Sequence, residues 1–264
     1  MTNYRHINYT VMTDTKNQYE SDQELIQAVR FSIEHQYMVA QEEDIDQPIS
    51  KGCKTQFICS GKRSLEAAKA YRGKKVAVLN FANNHSIGGA PFSAGAQEES
   101  LCRCSTLFPC LEAMRVPFYQ KHINYYMRHL ISSIGNDDLI NTPDVVVFKT
   151  DERTDPIVPQ MLPREEWYKV DVITCAAPEF RKGGPYPDDY EQIIDRRIKK
   201  IIDVAVKEKV EVLILGAWGC GAFGNDPKIV SRCFYSHLEK HNFETVEFAL
   251  ASNGDVSDSP FARN

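Results

Sequence analysis

Two adjacent glutamates, Glu98 and Glu99, are the residues of this chain best suited to acid–base chemistry, because they follow a glycine-containing turn. The turn at residues 88–90 reads Gly-Gly-Ala, and Gln97 directly precedes the glutamates. Glycine reaches positive φ and has no Cβ, so a ligand can come close to backbone amides there. A helix that begins just beyond the turn adds unpaired N–H groups and the positive end of its dipole, which favour a phosphate. The pattern predicts a phosphorylated ligand beside two carboxylates.

The two carboxylates call for separate roles, since adjacent helical residues point about 100° apart and cannot flank one bond as an ordinary glycosidase pair. Cleavage of a glycosidic bond passes through an oxocarbenium-like state in which the leaving oxygen must be protonated. One carboxylic acid with a raised pKa can supply that proton and then act as a base towards water. The alternative is that Gln97, Glu98 and Glu99 only complement the start of a helix.

Two apolar segments lead into the glycine-containing stretches. Val76 to Leu79 reads as a strand that we expect to end at Asn80, with Asn83 shortly after it. A second buried-type strand at residues 210–217 leads into a loop, Gly219 to Gly224, whose backbone donors could hold a diphosphate. Open α/β sheets bind ligands beyond the carboxyl ends of their strands, so we expect the two stretches to meet there.

The remaining pattern alternates between strands and helices and therefore predicts an α/β fold built in layers. Apolar spacing predicts helices at residues 22–41, 64–73, 188–208 and 228–240, and a helical region at 106–133 with breaks at Pro109 and Pro117. Further strands are predicted at residues 57–59, 145–149, 171–177 and 246–250.

The two motifs resemble those of the microbial-type poly(ADP-ribose) glycohydrolases, whose pattern is three glycines, a short spacer and Gln-Glu-Glu. In this chain Ala90 stands in place of the third glycine, and Glu179 stands where the family usually has asparagine. The resemblance extends from about Leu65 to Leu250. It implies a macrodomain-like three-layer α/β/α sandwich with a mixed central sheet.

The same resemblance implies hydrolysis of the ribose–ribose O-glycosidic bond of poly(ADP-ribose), with release of ADP-ribose and without a metal or organic cofactor. Glu99 matches the catalytic acid, and Glu98 matches the residue that hydrogen-bonds the ribose hydroxyls. Phe223 would pack on the terminal ribose. The substrate-binding positions implied in this way are Asn83, Gly88, Gly89, Ala90, Gln97, Gly219, Cys220, Gly221, Ala222, Phe223 and Gly224.

Other functions stay open at this point. An ADP-ribosyl hydrolase acting on singly modified protein or nucleic acid, or a macrodomain that binds ADP-ribose without cleaving it, would use the same loops. A nicotinamide-dinucleotide oxidoreductase would need a GxGxxG fingerprint in its first βα unit, which the sequence lacks. Cys220 could be a nucleophile, but without a histidine nearby in sequence we interpret it as a small packing residue.

Length and composition agree with a globular protein: 264 residues, 42% hydrophobic and 25% charged. We expect residues 1–60 to form a helical extension packed on a macrodomain-like domain at 61–264. The net charge of −5 argues against a generally basic nucleic-acid-binding surface. The eight cysteines are expected to be reduced thiols, and the histidines lack metal-ligand spacing. Without a signal peptide or an apolar run of about 20 residues, the protein is expected to be cytoplasmic. We also expect it to be a monomer.

Overall fold

The computed structural model describes residues 4–50, 54–152, 158–180 and 185–263. Within these residues, a seven-stranded sheet in the order β1-β4-β5-β3-β6-β7-β2 lies between two layers of helices. The strands are β1 (Tyr37–Val39), β2 (Gln56–Ser60), β3 (Val76–Phe81), β4 (Leu139–Val147), β5 (Tyr168–Cys175), β6 (Val212–Leu215) and β7 (Thr245–Ala249). The α-helices are α1 (Tyr4–Ser21), α2 (Gln23–His35), α3 (Ser64–Lys69), α4 (Gln97–Cys104), α5 (Leu107–Ala113), α6 (Lys121–Met127), α7 (Tyr190–Lys207) and α8 (Pro227–Leu238).

The sheet is mixed, as the resemblance to the poly(ADP-ribose) glycohydrolase family implies. Strands β5, β3, β6, β7 and β2 are parallel to one another, whereas β4 runs antiparallel to both β1 and β5. The carboxyl ends of the five parallel strands therefore meet at one edge, where loops from different parts of the chain converge. The predicted α/β/α sandwich is confirmed.

Alternating side chains of the central strand β3 build both halves of the core, because successive strand residues point to opposite faces. Val76 and Val78 join the cluster formed with α3, α4 and α5, while Ala77 and Leu79 join the cluster formed with α7 and α8. The apolar face predicted for the long helix is buried in α7. Each fully buried aliphatic side chain contributes roughly 2 kcal/mol, so this central strand is firmly held.

The first 60 residues are more than a helical extension. Strands β1 and β2 form the two opposite edges of the sheet, and both lie before residue 61. Helix α1 packs one face on the rest of the molecule through residues spaced three and four apart: Asn8, Val11, Met12, Thr15 and Tyr19. The division at residue 60 stays a prediction, and we propose that both segments fold as one unit because the sheet draws strands from each.

Three predicted element boundaries differ from the structure. Asn80 continues β3 instead of ending it, because its backbone pairs with Thr174 and its side chain is hydrogen-bonded in the interior. The helix predicted at residues 22–41 ends at His35, since Tyr37 pairs with Asn141 in the sheet. Strand β4 begins at Leu139, six residues before the predicted start.

The region predicted to contain helix breaks does contain them. Pro109 lies in the first turn of α5, and Pro117 lies in a π-helix, Arg115–Gln120, between α5 and α6. None of the helices in the described parts of the chain is both long and apolar enough to span a membrane.

Buried Lys149 fastens α1 to the sheet, and its removal should destabilise the fold. Its ammonium donates to Val11 O (3.2 Å) and Thr15 Oγ1 (2.7 Å) and pairs with Asp14 (2.7 Å). We expect Lys149→Met to lower the free energy of unfolding by about 2 kcal/mol, because charge-assisted hydrogen bonds are lost. Urea denaturation measures this change. The control Lys16→Met, on the exposed face of α1, should change it by less than about 0.5 kcal/mol; equal effects would contradict the role of Lys149.

Candidate active site at the carboxyl edge of the sheet

The side chain of Gln97 fixes the start of α4 against the end of β3. Its Oε1 accepts a hydrogen bond from the Phe81 N–H (2.9 Å), and its Nε2 donates to Leu79 O (2.7 Å) and Ser64 Oγ (3.1 Å). The preceding residue, Ala96, makes no side-chain cap. The first turn of α4 is thus anchored by a side chain inside the helix, and the glutamates that follow have a defined position.

Glu98 is buried beneath the loop that follows β3. Only 3% of the residue is exposed, and its carboxyl oxygens accept hydrogen bonds from Asn83 N–H (2.9 Å) and Asn80 Nδ2 (3.2 Å). Burial raises the pKa of Glu98 to about 8, and the nearby carboxylate of Glu99 adds to the rise, while the two hydrogen bonds oppose it. At neutral pH this carboxyl group is therefore mostly protonated.

Glu99 is also buried, at 7% exposure, and touches the glycine turn. Its Oε1 accepts a hydrogen bond from the Ala90 N–H (3.1 Å), whereas its Oε2 is buried without a hydrogen-bond partner. A buried carboxyl oxygen without a partner costs free energy in the empty protein. The hydrogen-bonding capacity of this atom is therefore unused in the empty protein.

The two glycines of the turn are required by space as well as by backbone conformation. Gly88 and Gly89 have φ of 63° and 68°. A Cβ at Gly89 would lie 2.4 Å from Glu99 Oε1, and one at Gly88 would lie 2.8 Å from Cys102 Sγ. Ala90, by contrast, has no left-handed φ and is exposed, so its methyl group is accommodated while its N–H still reaches Glu99.

The second glycine-rich loop, between β6 and α8, is held by two buried side chains. Trp218 Nε1 donates to Cys175 O (2.9 Å), and Asn225 Nδ2 donates to Pro178 O (2.9 Å) and Gly219 O (3.0 Å). These bonds tie the loop to the end of β5. Gly219 has φ of 72°, and a Cβ there would lie 2.4 Å from Ala177 Cβ, so no other residue fits without displacement.

One cavity of about 390 Å³ brings the two predicted motifs together. The N-terminal end of α4 supplies Gly95 to Gln97, and the second loop supplies Gly219 and Gly221 to Phe223. A Cβ at Gly221 would meet open space, so backbone there faces the cavity directly. The remaining predicted positions do not line this cavity. Those near the buried carboxylates are Asn83, Gly88, Gly89, Ala90, Glu98 and Glu99. Cys220 and Gly224 belong to the second loop without lining the cavity.

The sequence and the fold of this chain are similar to those of known proteins. The catalytic domain of microbial-type PARG, poly(ADP-ribose) glycohydrolase, matches residues 7–150. The chain belongs to this family. The crystal structure of PARG from Thermomonospora curvata superposes with a TM-score of 0.80 at 27% identity, covering 94% of this chain and 95% of that one. PARG from Deinococcus radiodurans in complex with ADP-ribose gives a TM-score of 0.71 at 28% identity, covering 88% of this chain and 95% of that one.

A second Thermomonospora curvata PARG structure, bound to the inhibitor ADP-HPD, gives a TM-score of 0.76 at 27% identity over 95% of both chains. No curated protein gives a significant match. The family match begins at residue 7, so the N-terminal helices belong to the PARG catalytic domain, well before the start of the similarity seen in the sequence.

The residues of the PARG cavity that were not predicted from the sequence include four with charged or hydroxyl side chains, namely Arg63, Ser64, Ser100 and Asp151. Arg63 Nε donates to Asp151 Oδ1 (2.8 Å), and Arg63 also hydrogen-bonds Ser100. Burial raises the pKa of Asp151, although Arg63 opposes the rise. The one sequence signal for Arg63 is its place three residues after β2, beyond the carboxyl end of a parallel strand. Asp151 has no such signal, because the pairing joins distant parts of the chain.

The cysteines of this PARG domain are thiols wherever the structure describes them, and Cys53 lies outside the described residues. Burial raises the pKa of the Cys220 thiol to about 12, and its Sγ lies 3.5 Å from Trp218 O. A thiol of this kind is a poor nucleophile at neutral pH, which agrees with the packing role. No three His, Cys, Asp or Glu side chains of the described part of the chain are grouped for a metal ion.

The raised pKa of Glu98 should make stability depend on pH. Between about pH 4.5 and 8 the folded protein keeps a proton that the unfolded chain has released, so the free energy of unfolding falls as pH rises. Glu98→Gln cannot ionise at this position. Between pH 5 and pH 8 we therefore expect the free energy of unfolding of the wild type to fall by roughly 3 kcal/mol more than that of Glu98→Gln. Urea denaturation at pH 5 and pH 8 measures the difference.

Glu112→Gln provides the matched control for this experiment, because the Glu112 side chain is 42% exposed. This variant should follow the wild-type pH dependence. Parallel curves for wild type and Glu98→Gln would mean that Glu98 ionises normally in the folded protein.

Proposed function

We propose that this protein hydrolyses the ribose–ribose O-glycosidic bond of poly(ADP-ribose) and releases ADP-ribose, with Glu99 as the general acid and base. The observation that carries this proposal is the state of the Glu99 carboxyl group. One of its oxygens accepts a hydrogen bond from the Ala90 N–H, and the other is buried without a hydrogen-bond partner. The family and its ADP-ribose-bound member in Deinococcus radiodurans support the same substrate class.

The terminal ADP-ribose unit would occupy the 390 Å³ cavity, whose volume lies in the range of small-molecule sites. Backbone N–H groups of the loop from Gly219 to Gly224 would hold the diphosphate, and Phe223 would pack on the terminal ribose. The N-terminal end of α4 adds a favourable dipole for the negative charge. This arrangement leaves the bond to the next unit over the turn at residues 88–90.

In the reaction, Glu99 Oε2 gives a proton to the bridging oxygen while the bond from that oxygen to the ribose carbon breaks. The positive charge that develops on the ribose ring is stabilised by the carboxylate left on Glu99. Water then attacks the ribose carbon, and Glu99 takes a proton from it, which restores the starting state. A single acid–base residue completes the cycle.

Glu98 would assist from its protonated state. Its carboxyl group is largely uncharged at neutral pH, so it can donate a hydrogen bond to a ribose hydroxyl. Ionisation of Glu98 above about pH 8 would remove this donor and should therefore lower the rate.

We further propose that the enzyme acts as a monomer in the cytoplasm on polymers attached to protein or nucleic acid. The exposed methyl group of Ala90 leaves room for a polymer chain at this turn. Hydrolysis of single ADP-ribose modifications is the alternative. Release of ADP-ribose from poly(ADP-ribose), singly modified protein and singly modified DNA, measured in parallel, decides between the two substrates.

Glu99→Gln should separate catalysis from binding. We expect ADP-ribose release from poly(ADP-ribose) to fall about 1,000-fold, because the amide cannot donate the proton. The dissociation constant for ADP-ribose, measured by calorimetry, should change less than about 3-fold, since the amide is isosteric. Glu20→Gln, at an exposed position of α1, serves as the control. Unchanged turnover in Glu99→Gln would refute the catalytic role of Glu99.

Gly89→Ala should also abolish most activity, because its Cβ would displace the Glu99 carboxyl group from the Ala90 N–H. We expect a loss of about 100-fold in turnover on poly(ADP-ribose), with the folded structure retained in circular dichroism. Gly254→Ala is the matched control, since its nearest contact would be Ser252 Oγ at 3.8 Å. Full activity in Gly89→Ala would show that the close approach of the turn to Glu99 is dispensable.

A further inference from the structure

A second cavity, of about 240 Å³, lies on the other side of the glycine turn. It is formed between the loop after β3 and the π-helix Arg115–Gln120, and its walls include His85, Phe108, Arg115 and Tyr119. π-Helices are rare and often occur at functional sites. None of the site residues predicted from the sequence lines this cavity.

Two buried polar atoms at this cavity have no hydrogen-bond partner. They are Tyr119 Oη, in a residue only 1% exposed, and His85 Nε2. An unsatisfied buried polar atom destabilises the folded protein. Both residues line this cavity, so a polar ligand held there could supply the missing hydrogen bonds.

The two cavities flank the catalytic turn. The loop after β3 contributes Ala82 and its last residues before α4 to the first cavity, and His85 to the second. Between these points, Glu98 holds the backbone of Asn83 and Glu99 holds the backbone of Ala90. A substrate whose terminal unit fills the first cavity, with its scissile bond over Glu99, would continue across the turn towards the second.

The chemistry of the second cavity suits an ADP-ribose unit. The Arg115 side chain is 61% exposed, and its ion pair with Glu112 is long, at 3.5 Å, so the guanidinium is accessible to a diphosphate. The Tyr119 hydroxyl and His85 Nε2 can serve ribose hydroxyls. Tyr126, 42% exposed, meets the His85 ring edge-on at 5.3 Å and offers a face for a base.

We propose that this second cavity is a leaving-side subsite, which binds the ADP-ribose unit on the far side of the scissile bond. The inference rests on the proposed function and deepens it. A substrate with two linked units fills both cavities, whereas a singly modified protein fills one. The subsite therefore makes the enzyme selective for polymer.

Arg115→Ala and Tyr119→Phe test the subsite, with Arg232→Ala on the opposite helical layer as the control for loss of an exposed arginine. The substrates are poly(ADP-ribose) of defined length and an ADP-ribose glycoside with a small aryl leaving group. We expect Arg115→Ala to raise KM for the polymer about 10-fold, because a charge-assisted hydrogen bond is lost. Tyr119→Phe should raise it about 3-fold, and kcat/KM for the aryl glycoside should stay within 2-fold in both.

Equal kinetics of Arg115→Ala, Tyr119→Phe and Arg232→Ala on the polymer would overturn the subsite, as would equal losses on both substrates. A binding measurement decides independently of turnover. In the Glu99→Gln background, a short polymer should bind at least about 10-fold more tightly than ADP-ribose, and Arg115→Ala should remove that advantage. If the wild type cleaves neither substrate, the proposed function fails, while this binding comparison still accepts or rejects the subsite.

Discussion

Two neighbouring carboxyl groups buried in the first turn of one helix set the main constraint on this structure. Burial of such groups is costly unless hydrogen bonds compensate. Here the compensation comes from the backbone: the Asn83 N–H reaches Glu98 and the Ala90 N–H reaches Glu99. The loop after β3 must therefore fold back over the start of α4. Gly88 and Gly89 make this possible, since a side chain at either would collide with its neighbours.

The edge of the sheet around this loop is rigid because buried polar side chains connect one loop to the next. Arg197 donates to Asp137 (2.7 Å), Ala176 O (3.0 Å) and Ile134 O (2.7 Å), which joins the chain before β4 to the end of β5. Trp218 joins the end of β5 to the second glycine-rich loop. Catalysis by a single acid requires such support, because small displacements of a reacting group cost large factors in rate.

The sequence was a good guide wherever local patterns determine structure. The apolar runs predict the central strands, the spacing of isoleucines predicts α7, and the glycines predict both loops. Periodicity could not show that Asn80 continues β3, because its side-chain Nδ2 donates to Glu98 and Thr174, which only the tertiary fold brings into reach. For the same reason the Arg63–Asp151 pair was missed.

The acid–base assignment shows a second limit of prediction from sequence. Position within the motif points to Glu99 as the proton donor, whereas the raised pKa is that of Glu98. Two adjacent glutamates are identical residues in the sequence. The depth at which each carboxyl group is buried, and the backbone amide that faces it, are set by the tertiary fold. The π-helix with the second cavity was likewise invisible, because its aromatic residues resemble an ordinary packing helix.

The position of β2 has a consequence for biosynthesis. This edge strand pairs with β7, so that Gln56 meets Thr245 across the sheet. A polypeptide leaves the ribosome at roughly 5–20 residues per second, so β2 stays unpaired for about ten seconds or longer before β7 is made. Pairings between such distant segments also form slowly. The cleft wall at Arg63 and Leu250 thus cannot assemble until β7 has been synthesised, and β2 keeps an unpaired edge until then.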